Sequence, residues 1–171
     1  MTEAPGGVPT KPSKPGFVGF EGSASAAFTK SAPPTPVVAE CYPAAVDSCP
    51  FSTIDFPRVS AENEHALAFQ DAYPVASGHT LVVPRKHVTS IYELDINEQR
   101  SLWDLVGAVR ERLLAEFKPD GFNIGFNDGP AAGQSVQHAH VHVIPRRLGD
   151  VPDPRGGIRW VIAENAPYWT D

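Results

Sequence analysis

Hydrophobic and polar positions along this chain change period several times, and each change marks an element. Ala66-Leu67-Ala68-Phe69-Gln70 is a short apolar run closed by Asp71-Ala72-Tyr73-Pro74, and it reads as a strand. Ser77-Gly78 marks a turn. His79-Thr80-Leu81-Val82-Val83-Pro84 then reads as a buried strand, most simply paired antiparallel with the first. Leu102, Leu105, Val106, Val109, Leu113 and Phe117 recur at helical spacing. They predict one long helix, capped by Asp95 or Asn97 and stopped by Lys118-Pro119-Asp120-Gly121. Phe122 to Asn127 alternates again as a strand, and Asp128-Gly129-Pro130-Ala131-Ala132-Gly133 is a turn-rich loop. The last alternation is His138-Ala139-His140-Val141-His142-Val143-Ile144. Strand period predicts that its three imidazoles leave one face, while Ala139, Val141 and Val143 turn to a core. Two strands, a long helix and two more strands predict an α+β fold with an antiparallel sheet.

Composition divides the chain. Residues 1–39 are rich in Pro, Gly, Ser, Ala and Thr without apolar periodicity, which predicts a disordered tail; residues 40–171 form the predicted domain. Gly16-Phe17-Val18-Gly19-Phe20 reads either as a short docking element or, more simply, as residual stickiness. The net charge is −6 and no basic cluster exceeds a pair, which argues against a nucleic-acid polymer or an anionic membrane surface as partner. Cys41 and Cys49 are the only cysteines, too few for a disulfide scaffold. No apolar run is long enough to span a membrane and the N-terminus lacks signal-peptide features, so the expected location is the cytoplasm.

The histidine row carries the candidate chemistry. Same-face neighbours on a strand stand about 6.7 Å apart, so two imidazoles converge on a metal more easily than three. A catalytic metal, a satisfied polar face and nucleophilic or acid–base chemistry are the available readings. The last is favoured: one neutral imidazole attacks an electrophile while a neighbour holds charge or shuttles a proton. Gly133-Gln134-Ser135 precedes the row, and backbone N–H groups in such a turn suit phosphate oxygens. Ser135 lacks the context of an acyl-transfer nucleophile.

The row and its surroundings resemble the histidine triad (HIT) superfamily. His138-Ala139-His140-Val141-His142-Val143-Ile144 matches its His-φ-His-φ-His-φ-φ signature. Asn127-Asp128-Gly129-Pro130-Ala131-Ala132-Gly133-Gln134-Ser135-Val136 resembles the loop before the triad in the Fhit branch. The segments 69–74, 78–84 and 84–88 resemble the first hairpin and the entry to the helix. The resemblance runs from about Cys49 to at least Asp150. It implies a HIT-like fold, an antiparallel sheet of about five strands with one long helix packed on it.

It also implies nucleotidyl transfer or hydrolysis at an α-phosphate. His140 matches the nucleophile, His142 the histidine that contacts phosphate, and His138 the supporting histidine. Gln134 matches the glutamine near the bridging oxygen and Ser135 the hydroxyl near the leaving group. Gly133 and Val136 complete the phosphate loop, Asn127 matches a phosphate- or ribose-side amide, and Asp71 matches the group that holds the ribose hydroxyls. Asp71 and Asn127 also have plain readings as turn residues, His79 as a residue packed behind the triad, and Phe69 and Leu67 as core.

Many bacterial relatives hold a structural zinc with Cys-x-x-Cys, a histidine before the helix and the first triad histidine. Here those positions read Cys49-Pro50-Phe51-Ser52, His87 and His138. Ser52 replaces a thiolate with a poor ligand, so no tightly bound zinc is expected. Magnesium would enter only with a polyphosphate substrate. The run Asp153 to Val161 with Ala166-Pro167-Tyr168-Trp169 resembles the ends of bacterial dinucleoside polyphosphate hydrolases; Arg159 is a candidate for polyphosphate, and Trp160 or Trp169 for a base. The family's usual two-fold dimer predicts a homodimer. The leading functional expectation is hydrolysis of diadenosine tri- or tetraphosphate to AMP. A Hint-like nucleoside phosphoramidase and a nucleotide-binding signalling protein with negligible turnover are the alternatives.

Overall fold

A computed structural model describes residues 49–169, apart from the side chain of Phe56. The expectations for the tail of residues 1–39 and for Cys41 lie outside the described residues. Five strands form one sheet: β1 (Val59–Glu62), β2 (Ala66–Gln70), β3 (Thr80–Pro84), β4 (Gly121–Gly125) and β5 (Val141–Arg146). Their order is β1-β2-β3-β5-β4, and all four pairings are antiparallel. One helix, α1 (Ile96–Phe117), joins β3 to β4. The α+β expectation holds. Strand β1 is the element that periodicity did not reveal: it has four residues, and a register irregularity between Val59 and Ala61 breaks its alternation.

Helix α1 forms where its caps and stripe agree. Asp95 accepts the N–H groups of Asn97 at 2.8 Å and Glu98 at 2.9 Å, while Glu98 accepts the Asp95 N–H at 2.8 Å. Lys118 closes the helix in the left-handed conformation, and Pro119 follows. Leu102, Leu105, Val106, Val109 and Leu113 are buried against one sheet face. That face offers Ala66, Ala68, Val82, Val141 and Val143. Each large side chain so covered contributes roughly 1.5–3 kcal/mol.

The other sheet face is also covered, which explains the uninterrupted apolar run of β3. Phe69, Leu81 and Val83 pack there with Phe51, Ile54 and Leu67. The same face carries His142, because Leu81 and Gly125 are its cross-strand partners. Gly78 tightens the turn before β3 at φ +84°, where a Cβ would come within 3.0 Å of Phe117. Among the described residues no helix is long and apolar enough to cross a membrane.

The histidine row departs from its expected form. Strand β5 begins only at Val141, so His142 is the one triad histidine within it. The ladder with β3 ends at Val82↔Val141. Beyond that point Pro84 has no N–H to give. Its carbonyl accepts from the His138 ring, and the Ala139 N–H goes to Val88 O at 2.7 Å. Ala139, Val141 and Val143 still enter the core as expected. The imidazoles of His138 and His142, however, enter two different environments.

Candidate active site

His140 sits at the centre. Its Nδ1 is 2.8 Å from the His138 carbonyl oxygen, which can only accept, so the proton of the neutral ring is on Nδ1. Nε2 therefore holds a lone pair. The ring is buried, edge-on to Phe51 at 5.2 Å and to His142 at 5.1 Å between centroids. Phe51 lies far away in sequence and fixes the ring's inclination by packing alone.

His142 begins a polar chain. Its Nδ1 is 3.0 Å from His79 Nε2. The Val75 N–H reaches His79 Nδ1 at 3.3 Å and needs a lone pair there, so neutral His79 carries its proton on Nε2 and donates to His142. His142 is left with Nε2–H as its remaining donor. Asp71 stands behind the pair, with Oδ2 3.4 Å from His79 Nδ1 and Oδ1 accepting the Tyr73 N–H at 2.9 Å. Burial is the main cause holding His142 down at about 4; His140 and His79 lower it further and Asp71 opposes them. Burial lowers His79 as well, again against Asp71. Both rings are neutral at pH 7.

His138 begins a second cluster. Nε2–H donates to Pro84 O at 2.8 Å, which turns the Nδ1 lone pair toward Cys49 Sγ at 3.5 Å and Ser52 Oγ at 3.4 Å. Ser52 Oγ also lies 3.0 Å from His87 Nδ1. Ligand atoms of Cys49, His87 and His138 all fall within 4.8 Å of one another. Three residues thus fit a tetrahedral zinc, and Ser52 stands among them where a second thiolate would complete the set. The serine hydroxyl instead bridges the two imidazoles. Burial lowers the His138 pKa; the bond to Pro84 opposes that shift.

The loop before the row is held from within. Buried Gln134 accepts the Gly129 N–H through Oε1 at 2.8 Å and donates through Nε2 to Thr89 O at 2.8 Å. Its amide pins the loop against the turn before α1. Gly129 and Gly133 take φ +86° and +90°, which lets the 3-10 turn Pro130–Ala132 form between them.

Two cavities meet at His142. A cavity of about 410 Å³ includes His140, His142, Ser135, Val136 and Asp71, with Phe51 and Phe69 as apolar walls. Asn127 lines the other cavity. The structure so brings together His140, His142, Ser135, Val136 and Asp71 on one cavity, buries His138 and Gln134 beside them, and leaves Gly133 exposed on the loop. Phe51 is the wall that sequence reasoning missed; nothing local to it signals a role. The Arg159 guanidinium donates to the Ala166 and Asn165 carbonyls and lies over Tyr168.

An antiparallel five-stranded sheet with one covering helix thus carries a histidine row whose central ring, His140, lines a cavity of about 410 Å³. A family model for the HIT domain matches residues 57–149, more than half of the 171-residue chain. The chain belongs to the HIT family. An uncharacterised HIT-like protein of Mycoplasma genitalium is 45% identical over 85 residues, 50% of this chain and 60% of that protein. The chain thus spans about 60% of the length of that relative. The asymmetrical bis(5′-nucleosyl)-tetraphosphatase of Schizosaccharomyces pombe is 39% identical over 85 residues, 50% of this chain and 47% of that protein. The crystal structure of a HIT-family protein from Bacillus subtilis has 38% identity and a TM-score of 0.56, covering 60% of this chain and 76% of that one.

Proposed function

We propose that this protein hydrolyses dinucleoside polyphosphates, such as diadenosine tri- or tetraphosphate, at an α-phosphate and releases AMP. The observation that carries the reading is the His140 tautomer: Nδ1–H bound to the His138 carbonyl leaves Nε2 as a nucleophile beside the cavity. Nε2 attacks the α-phosphorus; a P–N bond forms as the bridging P–O bond breaks and the polyphosphate leaves with the electron pair. The positive charge on the nucleotidyl-imidazolium is met by the His138 carbonyl. His142 Nε2–H donates to a phosphate oxygen as charge develops, and it stays neutral because burial disfavours its cation. Water then attacks phosphorus, the P–N bond breaks, AMP departs, and the proton from water passes to solvent.

Ser135 is assigned to the leaving-group side and Val136 to the phosphate, both from the cavity wall. Asp71 lines the same wall, where its carboxylate suits ribose hydroxyls while it backs His79. Gln134, with Gly133, shapes the loop that presents them. Magnesium belongs to the polyphosphate, and the Cys49, His87 and His138 cluster works without a tightly bound zinc. The tetraphosphatase relative from S. pombe supports the substrate class.

The working unit is a two-fold dimer. Among the described residues β4 pairs with β5 alone, leaving its other edge open. Ile124 on it and Trp103 on α1 are 40% and 42% exposed, and the Trp103 and Phe126 rings lie 6.4 Å apart. Light scattering that gives twice the chain mass supports the dimer; a monomer rejects it.

The test of function is kcat/KM for diadenosine triphosphate, diadenosine tetraphosphate and an AMP-amine phosphoramidate, side by side. Preference for the polyphosphates supports the proposal. Preference for the phosphoramidate assigns the same His140 chemistry to a different leaving group. Tight nucleotide binding without turnover of any of them rejects an enzyme.

A further inference from the structure

Asp71 and His142 both line the cavity of about 410 Å³, and one buried residue, His79, connects them. Asp71 follows β2, His79 precedes β3, and β5 lies beside β3 with His142 opposite Leu81. The Asp71 N–H donates to the His79 carbonyl at 3.0 Å, which closes the loop between β2 and β3.

Two groups compete for His79 Nδ1. The Val75 N–H reaches it at 3.3 Å and needs a lone pair there. Asp71 Oδ2 stands 3.4 Å away and, as a carboxylate oxygen, favours a proton there. The distances are nearly equal and neither contact is short. Backbone and carboxylate therefore hold opposing tautomers of one ring in near balance.

Each tautomer fixes His142 through the 3.0 Å bond between His79 Nε2 and His142 Nδ1. With the proton on His79 Nε2, Val75 is satisfied and His142 keeps Nε2–H, the donor to phosphate. The Nδ1 lone pair of His79 then faces the Asp71 charge, which is repulsive. With the proton on His79 Nδ1, Asp71 is satisfied and the bond between the rings reverses. His142 Nε2 becomes a bare lone pair that repels a phosphate oxygen. Passing from this second arrangement to the first moves one proton from His142 Nδ1 to His79 Nε2. A second proton leaves His79 Nδ1 for water and a third reaches His142 Nε2 from water, so the charge of the pair is unchanged.

The state of Asp71 decides between them. Its Oδ1 accepts the Tyr73 N–H at 2.9 Å, and Oδ2 is the oxygen that faces His79. A ligand hydroxyl that donates to this carboxylate draws on the same charge and weakens its claim on the His79 proton.

We infer that a vicinal diol bound at Asp71 sets the His79–His142 pair in the arrangement in which His142 donates, so that the sugar end of the substrate switches on the phosphate end. The inference rests on the nucleotidyl reading of the site. It adds a discrimination for ribose over deoxyribose that acts through a tautomer as well as through contact.

Nitrogen NMR of protein carrying isotope-labelled histidine reads the tautomers directly. Spectra are taken at about pH 8, above the lowered range of His79 and His142. The probes are adenosine and 2′,3′-dideoxyadenosine, which share a base and lack the phosphate that would itself draw a proton onto His142. Saturating adenosine is expected to move His142 Nε2 from an intermediate shift to that of a protonated nitrogen, and His79 Nδ1 to that of a bare one. Dideoxyadenosine leaves both where they stand in the free protein. Asp71→Asn keeps an oxygen for Tyr73 and offers an N–H to His79 Nδ1. That variant is expected to hold the first arrangement with or without adenosine, a one-directional change that a merely structural loss would not produce. Identical shifts with the two nucleosides, a single pure tautomer in the free protein, or Asp71→Asn rings that still respond to adenosine overturn the inference. If neither nucleoside binds at millimolar concentration, the nucleotidyl reading fails and takes the inference with it. If both bind with the same shifts while the protein hydrolyses diadenosine triphosphate, that reading stands and the coupling alone is rejected.

Discussion

The two ends of the histidine row are chemically alike in sequence and opposite in use. At one end the His138 ring reaches Cys49 and Ser52, and Ser52 reaches His87 in turn, away from the cavity. At the other His142 meets His79 and Asp71 and faces both cavities. Between them His140 takes its tautomer from the backbone of the first end and its ring neighbour from the second. The lesson is that an imidazole acquires its role from the partner of its other nitrogen. Pro84 O makes His138 a post; His79 makes His142 a donor.

The largest effect expected is on His140 itself. His140→Ala lowers kcat by about a thousandfold or more, with nucleotide affinity kept, because neither end offers a replacement lone pair at that place. Near-normal kcat would break the comparison at its centre.

Next, alanine at each end should give different kinds of damage. His142→Ala lowers kcat about a hundredfold and leaves stability close to the parent, since a donor to developing charge is lost. His138→Ala destabilises by about 2 kcal/mol in denaturant titration, because the Pro84 carbonyl and the Ser52–His87 pair lose their buried partner. Equal stability losses in the two variants would mean the ends are not distinct.

A smaller change sharpens the contrast. Ser52→Cys restores a second thiolate beside Cys49, His87 and His138 and raises zinc affinity at least about tenfold in a chelator competition. Stoichiometric zinc that the unsubstituted protein retains through the same competition would contradict the reading of Ser52 as a hydrogen-bonded substitute for a ligand.

The smallest effect is on pH. His142 titrates at about 4 in the fold against an ordinary value of 6.5. Between those values the unfolded chain binds protons that the folded chain refuses. This group costs no stability above pH 6.5; its cost grows as pH drops through the window and levels off below about 4. His138 and His79, also lowered by burial, add in the same direction. His142→Ala should flatten part of that slope; an unchanged slope would show that His142 does not titrate where its burial places it.

Much of this architecture was legible beforehand, and the misses have physical causes. The long helix declared itself because Asp95, the apolar stripe and Lys118-Pro119 agree at separate levels. Strands β2, β3 and β4 were visible as runs bounded by turn residues, though β4 ends at Gly125 rather than Asn127. Strand β1 was hidden by its length and its bulge. The histidine row showed the right alternation but not the end of the ladder, because that end is set by Pro84 and Val88 on another part of the chain. Within the site, His140 and His142 were legible from spacing. Phe51 was not, since its place against the His140 ring depends on contacts across the domain. Gln134 was legible as a site residue by resemblance, and its side chain is found holding the loop at Thr89 and Gly129.

The most direct measurement is mass spectrometry of the protein quenched with acid-free denaturant during turnover of diadenosine triphosphate, followed by digestion. The account predicts an AMP adduct on the peptide containing residues 134–146, located at His140 and absent from His140→Ala. An adduct at His138 or His142, or continued hydrolysis in His140→Ala with no adduct in either protein, would contradict it.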